Sequence, residues 1–275
     1  MPAQPDVLDL VARLKAKGEP FALATVVRTV SVTAAKAGAK AVIRADGTIS
    51  EGWIGGGCAR AAVLKAAREA IADGNPRLVS ILPKDILAEK GLRPGEEREG
   101  VRFARNACPS RGTMDVFVEP MLPRPALVVL GASPVAVAIA DLAPRFGYHV
   151  TVCAPAADQH LFAEADRRIE GYTVPPTNEG KRYIVVSTQG RDDGEALKAA
   201  LLTAAEHVAF VGSRRKVEAL IAELAAEGMA PEQFARLKGP AGLDIGAITS
   251  EEIALSVIAE IIALRRKSTR DPITP

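Results

Sequence analysis

From residue 126 onward, short uninterrupted apolar runs alternate with helical stretches. Ala126-Leu127-Val128-Val129-Leu130 contains no polar residue, and residues 148–153, 183–187 and 208–212 repeat the pattern. Helices are expected over residues 137–146, 193–205 and 214–227. Strands that are apolar without alternation are buried on both faces, which is the condition inside a parallel sheet covered by helices on either side. Right-handed crossovers between such strands give a doubly wound, Rossmann-like domain. A last helix is expected over residues 251–267. Ile253, Ala254, Val257, Ile258, Ile261 and Ile262 lie on one side of it, and Thr249 or Ser250 is its N-cap.

The first half is organised differently. A helix over residues 5–17 ends at Gly18, and strands are expected at 21–27, 39–44 and 48–54. The last two are joined at Ala45-Asp46-Gly47, a hairpin signal of Asp-Gly type. A helix over 58–72 and strands at 78–82 and 114–118 follow, with residues 83–102 expected as a charged loop. Pro120, Pro123 and Pro125 mark a linker over 119–125. The chain therefore divides into an N-terminal α/β domain, 1–122, a Rossmann-like domain, 123–267, and a flexible tail, 268–275.

The stretch richest in chemistry is Glu51-Gly52-Trp53-Ile54-Gly55-Gly56-Gly57-Cys58-Ala59-Arg60. Gly55, Gly56 and Gly57 let a ligand approach the backbone and deliver Cys58 to a helix start. Free N–H groups and a partial positive charge gather there. They favour the thiolate, which is a better nucleophile and a better ligand for a soft metal. A tight turn before a small core residue fits the same letters, since free cysteine is often buried. A second loop, Asn106-Ala107-Cys108-Pro109-Ser110-Arg111-Gly112-Thr113, presents a thiol, a guanidinium and hydroxyls ahead of a strand. A third candidate is Gly212-Ser213-Arg214-Arg215-Lys216, where a strand opens into a helix suited to an anion. A fourth is Gly242-Leu243-Asp244-Ile245-Gly246-Ala247, with Asp244 placed to orient a basic group or to shape a turn.

Several classes are disfavoured. Net charge is +2 with no long basic block, and aromatic residues are 4% of the chain, which argues against a nucleic-acid partner. Cys58, Cys108 and Cys153 form no disulfide framework and no CxxC pair, so a reducing, cytoplasmic setting is expected. The start lacks the pattern of a signal peptide, and no uncharged apolar run reaches the roughly 18 residues of a membrane span. His149, His160 and His207 have no partner at zinc-ligand spacing.

The turn after the first Rossmann strand is Gly131-Ala132-Ser133-Pro134-Val135-Ala136. Against the dinucleotide pattern G-x-G-x-x-G, serine holds the second position and alanine the third, and serine crowds a pyrophosphate. The nearest acid after the second strand, Asp158, comes several residues late. NAD(P)-dependent hydride transfer in this domain is the alternative function.

Taken together and in order, Gly52-Trp53-Ile54-Gly55-Gly56-Gly57-Cys58, Cys108-Pro109-Ser110-Arg111-Gly112-Thr113, Gly212-Ser213-Arg214-Arg215-Lys216 and Gly242-Leu243-Asp244-Ile245-Gly246-Ala247 resemble the XdhC/CoxI family over nearly the whole chain, on its CoxI side. The family comprises accessory proteins of molybdenum hydroxylases such as xanthine dehydrogenase and carbon monoxide dehydrogenase. The resemblance implies that residues 1–122 are the XdhC/CoxI N-terminal domain. It implies an activity of binding the molybdenum cofactor (molybdopterin), protecting it during sulfuration and delivering it to a hydroxylase, as a chaperone without turnover chemistry. Cys58 would be the cofactor-binding cysteine and the molybdenum contact. Gly55, Gly56, Gly57, Arg60, Cys108, Ser110, Arg111, Ser213, Arg214 and Asp244 are the supporting candidates. The implied partners are an apo molybdenum hydroxylase, a cysteine desulfurase or sulfurtransferase, and a second copy in a homodimer.

Overall fold

The structure is a computed structural model that describes residues 6–31, 33–107, 111–176 and 180–267; the side chains of Cys58 and Lys267 fall outside the described set. Two compact units divide the chain between Pro123 and Arg124.

The first unit runs α1 (Val7–Lys17), β1 (Phe21–Val30), β2 (Lys40–Arg44), β3 (Ile49–Gly52), α2 (Gly57–Asp73), β4 (Arg77–Pro83), α3 (Lys84–Glu89), β5 (Glu97–Arg98), β6 (Val101–Asn106) and β7 (Thr113–Met121). The strands form one sheet in the order β3-β2-β1-β7-β4-β6-β5. Among these pairings only β4 with β6 is parallel. The helix starts and stops follow local chemistry. Asp6 caps α1 by accepting from the Leu8 amide, and left-handed Gly18 ends it. In the β2–β3 turn the Asp46 carboxylate accepts from both the amide and the hydroxyl of Thr48 at 2.8 Å.

α2 buries Val63, Ala66, Ala67 and Ala70, spaced along one helical stripe, against Ala22, Ala24, Val26, Val79, Ile81, Val116 and Val118. The stripe is almost all alanine, so helix and sheet approach closely. On the opposite face Leu14 of α1 packs on Phe21 and Val42. A Cβ on Gly55 would stand 3.6 Å from Met114 Cε, and one on Gly74 3.4 Å from Leu122 Cδ1. α2 therefore starts beside the start of β7 and finishes beside its end.

Two sequence expectations for this unit need correction. Residues 83–102 are not a loop throughout, since they hold α3, β5 and the start of β6. Their apolar anchors, Leu82, Leu87 and Leu92, form a small separate core that the charged background hides. The expected linker over 119–125 begins inside β7. Pro120 pairs with Ala22 of β1, but β4 has stopped pairing at Val118, so β7 is an edge on that side and tolerates a residue without an N–H.

The second unit runs β8 (Ala126–Leu130), α4 (Pro134–Leu142), β9 (His149–Ala154), β10 (Arg167–Glu170), β11 (Arg182–Val186), α5 (Asp193–Leu202), β12 (His207–Phe210), α6 (Arg214–Ala226), α7 (Pro231–Phe234), β13 (Leu237–Lys238) and α8 (Ser250–Lys267). All pairings are parallel, in the order β10-β9-β8-β11-β12-β13, which is a doubly wound Rossmann sheet. Alternate strand residues serve opposite layers. Leu127 and Val129 face Ile139 of α4 and Val257 and Ile261 of α8, whereas Val128 and Leu130 join Leu197 of α5 and Leu220 of α6. The helix expected over 137–146 ends at Leu142 and continues as a 3-10 turn, Ala143–Phe146, because Pro144 cannot donate to an α-helical ladder. At α8, Thr249 accepts from the Glu252 amide while the Glu252 carboxylate accepts from the Thr249 and Ile248 amides, a capping box.

Candidate functional site

β3 stops at Gly52, which holds φ +88°; a Cβ there would stand 2.8 Å from Ala41 Cα and strike the Lys40 carbonyl. Trp53 donates its amide to Lys40 O at 2.9 Å and the buried Ile54 pins the turn from below. Gly55 at +98° and Gly57 at +56° then swing the chain into α2. The N-cap is Gly56, which has no side chain to accept from the first-turn amides, and no acid stands in that turn. Amides at a helix start of this kind are suited to an anion. Arg60, on the same first turn, is exposed and makes no ion pair with a described residue. Trp53, 51% exposed, flanks the turn: a Cβ on Gly56 would stand 3.8 Å from Trp53 Cη2. A search for titratable groups passes over it, although a lone tryptophan in an aromatic-poor chain is itself a signal.

The sheet brings a second feature to this end. β4 and β6 run parallel, so both release their chains there, and β7 starts there from the loop that contains Arg111. A groove of about 510 Å³ opens between them, lined by Lys84, Asp85, Arg105, Asn106 and Arg111 among others. Arg111 holds φ +50° and lies 3.8 Å from the Asp85 carboxylate. Asn106 donates to Gly112 O at 2.6 Å and fixes the loop's closing residue. Lys84 and Arg105 are exposed without an ion pair to a described residue, so the groove carries an excess of positive charge. Neither lysine nor arginine stands out in the sequence, because strand exit and helix start are brought together only by the sheet. Cys108 and Ser110 lie outside the described residues, as do the Cys58 side chain and the tail, 268–275.

The remaining candidates belong to the second unit. Ser213 caps α6, its hydroxyl accepting from the Lys216 amide, and Lys216 Nζ pairs with Asp193 at 2.6 Å. This helix start has thus met part of its own demand, while Arg214 remains exposed. Asp244 is exposed and accepts from the Gly246 amide at 3.4 Å, a turn-shaping bond. The Gly242 amide is held from beneath by the buried Glu260 carboxylate at 3.0 Å. Gly55, Gly56, Gly57, Arg60 and Arg111 thus share one unit, and Ser213, Arg214 and Asp244 the other. Cys153 is buried, and desolvation pushes its thiol up to about 11, so it is an inert core residue.

At the Rossmann turn, Gly131 at φ +109° packs so closely that a Cβ would stand 2.5 Å from Ser187 O. Ser133 accepts from the Ala136 amide at 3.1 Å and shares a 2.7 Å bond with the Ser187 hydroxyl, and Pro134 brings no N–H. The helix's own cap fills the place a pyrophosphate takes in a dinucleotide site.

The fold and these sites define a two-unit α/β protein: a mainly antiparallel sheet with a glycine turn at a helix start, then a Rossmann unit. Residues 14–81 match the XdhC and CoxI family and residues 127–261 match the XdhC Rossmann domain, so the chain belongs to the XdhC and CoxI family. It is 30% identical over 269 residues to "Uncharacterized protein YqeB" of Escherichia coli (strain K12), covering 94% of this chain and 46% of that protein. It is 31% identical over 163 residues to a probable xanthine dehydrogenase subunit of Bacillus subtilis (strain 168), covering 56% of this chain and 47% of that protein. The chain therefore spans just under half the length of these curated relatives. A crystal structure described as a xanthine dehydrogenase from Bacillus halodurans aligns over 98% of each chain at 19% identity and a TM-score of 0.46, too loose a likeness to build on. Among the described residues, no helix is long and apolar enough to cross a membrane.

Proposed function

We propose that this protein is an accessory factor of a xanthine dehydrogenase-type molybdenum hydroxylase. It takes the molybdenum cofactor as cargo, shields it while its terminal sulfur is installed, and releases it to the apo-enzyme. Family membership supports the accessory role. The observation that carries the cofactor reading is the uncapped glycine start of α2 on the same sheet end as the Arg111 loop. A pterin phosphate would be met by the first-turn amides and Arg60, with Lys84, Arg105 and Arg111 adding charge from the groove. The exposed Trp53 ring offers a flat apolar face to a pterin. Cys58, second residue of α2, stands where a helix start favours the thiolate, and a thiolate is a soft ligand suited to molybdenum. The bound cofactor keeps its own redox chemistry; the chain's part is to hold, cover and hand over, without turnover. The partners in this scheme are the apo-hydroxylase and a cysteine desulfurase or sulfurtransferase, with a homodimer as the assembly and the cytoplasm as the setting.

Anaerobic co-purification with the cofactor, followed by oxidation and pterin fluorescence, tests the scheme on wild type and Cys58→Ser. Pterin retained by wild type and lost from the variant is the expected result. A wild-type protein that never retains pterin overturns it.

A further inference from the structure

The crevice at the carboxyl ends of β8, β9 and β11 retains one half of a nucleotide site. β8 and β11 are neighbours whose crossovers leave in opposite directions, and ligands of open α/β sheets bind outside such a switch point. A cavity of about 90 Å³ lies there, between Ser133, Pro155, Asp158, Tyr172, Thr188 and Arg191. That is the share of about three waters, enough for a sugar's vicinal hydroxyls with the base outside.

Asp158 reaches the cavity because β9 is followed by a 3-10 turn, Ala156–Leu161, that folds the chain back. The Gln159 side-chain amide donates to Ala154 O at 2.6 Å and Ile169 O at 2.8 Å, and the Asp158 amide donates to Pro155 O at 2.9 Å. The carboxylate is thus held in place while its Oδ2 is buried without a hydrogen bond from a described residue. A buried carboxylate oxygen that accepts no well-formed hydrogen bond is uncommon and calls for a cause. Its one ion-pair neighbour among the described residues is Arg191, whose Nη1 lies 3.4 Å from this same Oδ2 on a side chain that is 68% exposed. Three other polar side chains of the cavity are already engaged, while Gln189 stands exposed at its edge. Tyr172 donates to Asp192 at 3.3 Å, Thr188 donates to Asp193, and Ser133 is bound to Ser187. The lip, residues 189–192, holds Gln189 at φ +55° and Asp192 at +59°, left-handed positions that side chains seldom take. Strain of this kind gathers at ligand sites.

We propose that this crevice binds the ribose diol of a nucleoside or nucleotide, with Asp158 accepting hydrogen bonds from the 2′ and 3′ hydroxyls as Arg191 swings away. The filled pyrophosphate seat at Ser133 makes the site one for a ribosyl group rather than for a dinucleotide gripped along its length. The inference stands apart from the cofactor-carrier scheme, which uses the other unit.

Calorimetric titration of the full chain with adenosine, guanosine, cytidine and uridine, and with their 2′-deoxy forms, tests it. At least one ribonucleoside is expected to bind with a Kd below about 1 mM. Its 2′-deoxy form, and Asp158→Asn titrated with the ribonucleoside, are each expected to bind about tenfold more weakly or worse. Thermal unfolding of Asp158→Asn reports whether the variant is folded, and the deoxy comparison on wild type needs no variant. The proposal is overturned if none of the four binds at that level, if ribo and deoxy forms bind alike, or if folded Asp158→Asn binds as wild type does.

Discussion

The hydroxyls of Ser133 and Ser187 lie 2.7 Å apart and tie the turn after β8 to the end of β11. Ser133 also caps α4, and Ser187 is only 2% exposed. Ser133→Ala removes the cap and leaves the Ser187 hydroxyl buried and unpaired. A loss of about 1–3 kcal/mol in urea unfolding is expected; a loss under about 0.3 kcal/mol would show that water replaces both bonds without cost.

The glycines before α2 differ in what they would strike. Gly52→Ala forces a Cβ onto the Lys40–Ala41 backbone at a left-handed φ, and the strand cannot retreat without breaking its pairing. Gly57→Ala meets nothing within 4 Å and bears only the cost of its φ of +56°. Equilibrium unfolding should place the first above about 2 kcal/mol and the second near about 1 kcal/mol. Equal costs would mean that the turn is soft.

Lys84 and Arg105 are exposed and without ion pairs to described residues, so replacing both with alanine should leave stability within about 0.5 kcal/mol of wild type. Under the carrier scheme the same double variant should retain less pterin on anaerobic co-purification, by about tenfold, and wild-type retention should weaken as salt rises. Unchanged retention would remove the groove from the site while leaving the glycine turn in it.

His207 opens β12 almost fully buried, its Nε2 without a hydrogen bond to a described residue. Desolvation, and then the Lys238 ammonium, hold it below the ordinary histidine range. Glu260 lies 3.6 Å away but is already paired with Lys238 and bonded by the Gly242 amide. The folded state therefore binds the proton later than the unfolded chain, whose histidine charges near about pH 6.5. This contribution to stability is present above that pH and is lost as the pH falls through the folded value. Unfolding curves from pH 8 to 5 should show a drop that His207→Gln flattens; a parallel profile for the variant would assign the drop to another group.

The second unit was legible in outline because β8, β9, β11 and β12 are continuous apolar runs between helical stretches. β10 carries no strand signal of its own, since Arg167-Arg168-Ile169-Glu170 is a charged edge strand with one apolar residue, and β13 is two residues long. Both are strands by virtue of a neighbour, not of their own composition. The glycine turn into α2 was legible as a backbone feature because three consecutive glycines at a helix start are unusual in themselves. The meeting of Lys84 and Arg105 at one groove was not, since nothing local marks which side chains share an end of a sheet.

Local rules thus settled what lies within a few residues along the chain: the caps at Asp6, Gly18 and Thr249, the Asp-Gly hairpin and the glycine entry to α2. These depend on hydrogen bonds and φ preferences between near neighbours, which the order of residues fixes directly. Tertiary structure alone decided the order β3-β2-β1-β7-β4-β6-β5, the return of Asp158 to the crevice and the bond from Ser133 across to Ser187. Each joins residues far apart in sequence, and which partner a strand or a hydroxyl finds is set by how the two faces of a sheet can be buried at once, a condition no short stretch contains.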